Sequence, residues 1–203
     1  MARRLKLSIG YDRDAEDPCD MDCSFRLHSF RSDHKNFCDR EKLPYSRIGL
    51  QSKLRHGTAF TLDYYEHGLC RWSLSGDGPQ CRWDTSRNSG LLVWPGKPSE
   101  LRKTYEERRE SAKAFLEEYT DWCNGLCYYF QLSTETDEPV DSCFGFIGDD
   151  SLIDGLSDVL RDDDTVVIVP NAEIDFSHLR RQLKCRVLAT SYFPTQPQPE
   201  YFI

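Results

Sequence analysis

The residue types with the widest chemical range in this chain are cysteine and histidine, nine and five of them in 203 residues. Two cysteine pairs share one spacing, Cys19-x3-Cys23 and Cys123-x3-Cys127. Two thiolates from a single turn can fill two corners of a tetrahedral zinc site. The usual zinc spacing is tighter, however, and Cys123 falls at an expected helix end, so the thiols read as reduced side chains packing like small hydrophobes. His28, His34 and Cys38 lie close together, with His56 and His67 beyond them. A metal centre or a general base could be assembled from these, but no HExxH, no HxE with a PCxxC and no helix-borne histidine pair is present. Cys123-Asn124-Gly125 with a distant histidine suggests a thiol nucleophile, yet nothing adjacent in sequence lowers the thiol pKa. The sequence therefore assigns no catalytic residue, no metal ligand and no cofactor.

A third constellation is acidic. Asp12-Arg13-Asp14-Ala15-Glu16-Asp17 carries carboxylates at alternate positions, as a calcium loop begins. The sixth position of such a loop needs glycine and the twelfth a bidentate glutamate. Here they are Asp17 and Cys23, which leaves a solvated acidic loop. No phosphate-cradling glycine loop, dinucleotide fingerprint or G-x-S-x-G turn occurs either.

Charge is unevenly distributed. The formal net charge is -8, but residues 12–22 hold six acids and one base, and residues 135–164 hold eleven acids and one base. The remainder is net positive, with eight bases and three acids in 26–56 and four bases and no acid in 178–186. This excludes a uniformly basic nucleic-acid binder. Clustered carboxylates repel one another and favour a basic partner or solvent around them. An aromatic content of 12% argues for a folded core. No apolar run reaches the ~20 residues that span a bilayer. The N-terminus alternates rather than forming an apolar signal segment. The expected location is the cytoplasm, with no membrane association.

These residues have to be positioned by recognisable elements. Arg3 to Ile9 and Ser24 to Phe30 alternate as strands do. Thr58 to Tyr65 and Leu69 to Leu74 flank Glu66-His67-Gly68, a hairpin-length connection. The triplet Cys-Arg-Trp occurs at 70–72 and again at 81–83, which predicts two sides of one hairpin with stacked tryptophans. Gly90 to Trp94 is a further strand. Thr104-x-x-Glu107 is a capping box opening a helix whose apolar positions are Tyr105, Ala112, Phe115, Leu116, Tyr119 and Trp122, ended by Asn124-Gly125. Strands Leu126 to Leu132 and Val140 to Ile147 follow. After Gly148 come a helix with apolar Leu152, Ile153, Leu156, Val159 and Leu160, a strand at Thr165 to Val169, a helical turn near Ser177 to Leu183 and a last strand at Arg186 to Ser191. The fold class expected is α+β, a largely antiparallel sheet packed by one long helix, with a smaller α/β-like C-terminal extension. The domain scheme is a 1–148 core, a 149–193 extension packed on it and a Pro-rich tail at 194–203.

The chain resembles a family of uncharacterised proteins encoded by bacteriophages and other bacterial mobile elements. The matching residues are Tyr11-Asp12-x-Asp14-Ala15-Glu16-x-Pro18, His28-Ser29-Phe30 with His34, Ile48-Gly49-Leu50 and Gly57-Thr58-Ala59-Phe60. Further matches are Tyr64-Tyr65-Glu66-His67-Gly68, Trp83-Asp84, Tyr119-Thr120-Asp121-Trp122-Cys123-Asn124-Gly125-x-Cys127-Tyr128 and Asp141-Ser142-Cys143-x-Gly145-Phe146-x-Gly148. The resemblance extends to the helix after Gly148, departs from the pattern at Phe144, and does not reach beyond Arg161. It implies a mobile-element setting and no particular reaction.

Together these readings predict an accessory protein that acts by binding a host protein or defence complex, an anti-defence inhibitor of a CRISPR or restriction system being the concrete form. The expected partner-binding residues are Asp12, Asp14, Glu16, Asp149, Asp150, Asp154, Asp158, Asp162, Asp163 and Asp164, which would occupy a basic channel. Two alternatives stand beside this. One is a metal-dependent hydrolase or nuclease built on His28, His34, the acidic loop or the cysteine pairs. The other is a nucleic-acid-binding module using 26–56 and 178–186.

Overall fold

The computed structural model describes residues 2–21, 24–96, 104–169, 171, 173–174 and 182–188. Among them are nine strands: β1 (Arg4–Tyr11), β2 (Arg26–Ser29), β3 (Ala59–His67), β4 (Leu69–Leu74), β5 (Thr85–Val93), β6 (Cys127–Thr134), β7 (Pro139–Ile147), β8 (Thr165–Ile168) and β9 (Arg186–Leu188). Three α-helices accompany them: α1 (Arg47–Arg55), α2 (Tyr105–Cys123) and α3 (Gly148–Val159). The protein is mixed α+β, but the strands form two sheets rather than the single one expected, in the orders β7-β6-β1-β8-β9 and β2-β5-β3-β4. The helical turn predicted near 177–183 falls mostly, and the 194–203 tail wholly, outside the described residues.

Two compact units divide the chain, and they do not follow its order. One holds the N-terminal residues up to Gly10, Tyr128–Phe144 and the chain from Asp150 onward; the other holds Tyr11–Cys127 and Gly145–Asp149. In the first, the alternation of β1 buries Leu5, Leu7 and Ile9, and β6 contributes buried Tyr128, Phe130 and Leu132. β8 lies parallel to β1, with Leu5 opposite Val166 and Leu7 opposite Ile168, and β9 is parallel to β8. Strands 160 residues apart in the chain thus share one ladder, a pairing that local sequence pattern cannot reveal. Leu152 and Leu156 of α3, one helical turn apart, are fully buried.

In the second unit all strand pairs are antiparallel. Phe60, Leu62 and Tyr64 of β3 occupy one face, as period-2 alternation requires. They join Trp72 and Leu74 of β4, Leu92 of β5 and Phe25 and Leu27 in a single core. The helix against that face is α2, whose Ala112, Phe115, Leu116 and Tyr119 are buried in the same cluster. Each such large side chain contributes roughly 1.5–3 kcal/mol on burial. Its capping box is formed: Thr104 Oγ1 accepts from the Glu107 N–H at 3.3 Å, and Glu107 Oε2 accepts from the Thr104 N–H at 2.7 Å. Asn124 caps the other end, and Gly125 follows at φ 72°, a left-handed conformation suited to glycine. On the opposite face of the sheet, Ala59, Leu91 and Val93 pack with Leu50 and Leu54 of α1. That helix was not predicted, since its stripe is only partly buried and Ile48 is 81% exposed.

The two Cys-Arg-Trp triplets are not partners. β4 pairs only with β3, and β5 begins at Thr85 and pairs with β3 on the other side. Trp72 is buried in the core at 2% exposure, whereas Trp83 sits in a turn at 84%. The hairpin partner of Trp72 is Tyr64, whose ring centroid lies 4.8 Å away.

Candidate functional site at the edge strand

β4 is the edge of its sheet, and an unpaired edge invites another strand. Here the helix closes it. Asn124 Oδ1 accepts from the Cys70 N–H at 2.9 Å, and Asn124 Nδ2 donates to the Cys70 carbonyl at 3.0 Å, so one side-chain amide mimics a neighbouring strand. Thr120 Oγ1 accepts from the Trp72 N–H at 3.1 Å. Between β4 and α2 remains a groove of about 880 Å³, whose lining includes Cys70, Arg71, Trp72, Arg109, Thr120 and Asn124.

Around Cys70 and Trp72 of this lining the fold assembles a group that is dispersed in sequence. Cys70 and Cys123 pack against the same core cluster, with Asn124, the residue after Cys123, bonded to the Cys70 backbone. Cys123 Sγ lies 3.6 Å from His34 Nε2, so the distant histidine considered as a partner for Cys123 is His34. Trp72 Nε1–H donates to the same ring nitrogen at 3.2 Å, and the Asn36 N–H faces Nδ1 at 3.3 Å. A neutral imidazole has one accepting nitrogen, so one of these donors is accepted, and a second ring proton would leave neither accepted. Burial pushes His34 below its ordinary pKa, assisted by Arg31 and opposed by Asp33 and Asp17. Asn36 Nδ2 also donates to Asp17 Oδ2 at 3.1 Å and to the Tyr119 hydroxyl at 2.8 Å. Asp17, expected in a solvated loop, is instead buried, and its Oδ1 accepts from the Cys19 N–H.

The two thiols are inequivalent. The neighbouring Cys123 lowers the Cys70 pKa, burial and Glu66 work against this, and Tyr64 lowers it further. The same proximity, then burial, pushes Cys123 far up. Chemically this is a dithiol whose two sulfurs differ in acidity. Sequence reasoning considered Cys123 and His34 but missed Cys70, Tyr64 and Asn36. The available signal was the capping Asn124 beside Cys123, because a helix end must find partners for its polar groups.

The acidic residues separate into structural and exposed groups. Asp12 is a brace: Oδ1 accepts from the Asp14 N–H and Oδ2 from the Gly145 N–H at 2.9 Å. Asp14, Glu16 and Asp149 are exposed. Asp150, Asp154 and Asp158 are exposed along α3 at i, i+4 and i+8, followed by exposed Asp162 and Asp163. Asp164 departs from the expected role. It is fully buried, forms an ion pair with Arg3, and accepts from Arg3 Nε at 3.0 Å and the Arg161 N–H at 2.9 Å. The Arg3 guanidinium, helped by those N–H groups, holds its carboxyl down to about 2 against the cost of burial. Asp164 is therefore unavailable to a partner.

The basic 26–56 segment is largely engaged within the fold. Arg26 donates to the Met21 carbonyl, Arg31 pairs with Asp33 and Lys53 donates to the Trp94 carbonyl. Arg40 lies over the Phe30 ring and Lys35 over the Trp122 ring. His28 meets the Tyr45 hydroxyl at 3.3 Å. Among the described residues no three His, Cys, Asp or Glu side chains converge as a metal site, and no helix is long and apolar enough to cross a membrane. Comparison with family models, curated proteins and solved structures finds none that matches this chain.

Proposed function

We propose that this chain is a non-catalytic accessory protein of a phage or other bacterial mobile element that docks an acidic helix face onto a basic surface of a host protein. The proposed partner is a nucleic-acid-handling defence complex, whose basic channel has the complementary charge. The observation that carries the reading is the stripe Asp150, Asp154, Asp158 on α3, continued by Asp162. All four are exposed, and among the described residues none has a cation within 4 Å. Like charges at i,i+4 cost roughly 0.2–0.5 kcal/mol per pair. The last turn of α3 holds no basic residue to offset Asp158 at the negative end of the helix dipole. A basic partner removes both costs. The location proposed is the host cytoplasm, and the setting rests on the resemblance described above.

The test uses two variants in a pull-down from host lysate: D150N/D154N/D158N/D162N, which neutralises the stripe, and D14N/E16Q, which leaves it intact. The reading expects a host protein retained by the wild type and the second variant, lost with the first, and released as salt rises. Equal retention by wild type and the stripe variant would refute it.

A further inference from the structure

We infer that Cys70 and Cys123 form a thiol–disulfide exchange site for low-molecular-weight disulfides, with Cys70 as the attacking sulfur and Cys123 as the resolving one. The inference stands apart from the acidic stripe and shares no residue with it.

Three features of the geometry carry it. Cys70 lines the groove between β4 and α2, giving a small disulfide a path to its sulfur. Cys123, at the last position of α2, is held against Cys70 by the two Asn124 hydrogen bonds to the Cys70 backbone, which fix strand to helix. The Cys123 sulfur also faces His34 Nε2 at 3.6 Å, inside a surround formed by Trp72, Tyr64 and Tyr119. The attack trajectory and the resolving thiol are thus supplied by different elements meeting at one point. The proximity of Cys123 lowers the Cys70 pKa, which favours the thiolate, the nucleophilic form.

The exchange balances without another reactant. Cys70 thiolate attacks one sulfur of RS–SR, forming the Cys70–SR mixed disulfide and expelling RS⁻, which takes up the proton Cys70 had released. Cys123 attacks the Cys70 sulfur, and its proton goes to the second leaving thiolate. The Cys70–SR bond breaks and a Cys70–Cys123 disulfide forms. The protein loses two electrons and two protons, and one RS–SR becomes two RSH. The product bond closes the chain between residues 70 and 123 and pins the edge strand to the helix.

The experiment exposes the reduced full chain to glutathione disulfide, quenches with acid, alkylates the remaining thiols and maps the peptides by mass. The wild type is expected to yield a Cys70–Cys123 linked peptide. The C123S variant should stop at a glutathione adduct on Cys70, formed about tenfold faster than the adduct on exposed Cys143. The C70S variant should leave Cys123 unmodified over the same interval. Circular dichroism establishes that each serine variant is folded. A wild type without the 70–123 link, or a folded C123S variant in which Cys70 reacts no faster than Cys143, overturns the assignment.

Discussion

Asp164 offers a sharp test of the packing argument, because its two neighbours in sequence are exposed while it is buried. Replacing it with asparagine keeps the shape and removes the charge opposite Arg3. The Arg3 guanidinium depresses the Asp164 carboxyl from 3.8 to about 2, and at about 1.4 kcal/mol per pH unit this corresponds to roughly 2.5 kcal/mol. Arg3 keeps 28% of its side chain exposed, so water takes over part of its loss and an expected destabilisation of ~2 kcal/mol is reasonable. The sign follows from the direction of the shift. A carboxylate whose folded pKa lies below its unfolded value stabilises fully above the unfolded value of about 3.9, and this is lost as pH falls through the folded one. The gap between wild type and D164N should therefore be full at about pH 7 and nearly closed at about pH 2. Urea titration followed by circular dichroism measures the gap. Hydrogen exchange of the β1 and β8 amides localises it, since Arg3 and Asp164 immediately precede those strands. D162N and D163N are controls expected within about 0.5 kcal/mol of wild type. If D164N unfolds with its controls at neutral pH, the ion pair is not the anchor described here.

Two further outcomes follow from the second unit. W72A should cost about 3–5 kcal/mol and W83A less than about 0.5, so comparable losses in urea titrations would restore a shared hairpin role for the two triplets. His34 should hold its second proton more weakly than a free imidazole, because burial and the N–H donor accepted by the neutral ring disfavour it. Its folded pKa lies below the ordinary one, so stability falls as pH drops below about 6.5. An H34Q variant should flatten that dependence, and an NMR titration placing His34 at or above the ordinary histidine pKa contradicts the description.

What could be read along the chain was whatever depends on neighbours in sequence. The capping box at Thr104 and Glu107, the stop at Asn124-Gly125, the β3–β4 hairpin and the alternation of β1 all follow from backbone hydrogen-bonding needs and side-chain periodicity within one element. The mixed α+β class follows from their sum. The exposed acids of α3 were equally legible, because a polar helix face needs no distant partner. α1 was not, since an amphipathic stripe half open to solvent gives a weak periodic signal.

Tertiary structure decided everything that depends on separation. It placed β8 beside β1, turning Asp164 from a member of an acidic run into the buried partner of Arg3, because only the folded ladder brings residues 3 and 164 together. It sent Trp72 inward and Trp83 outward although both sit in the same triplet, because burial is set by strand pairing rather than by residue type. The cysteines show the same division most clearly. Spacing directed attention to Cys123 and Cys127 as a pair, but Cys127 is buried in β6. The cysteine the fold brings to the Cys123 end of the helix is Cys70, through an asparagine that closes a sheet edge.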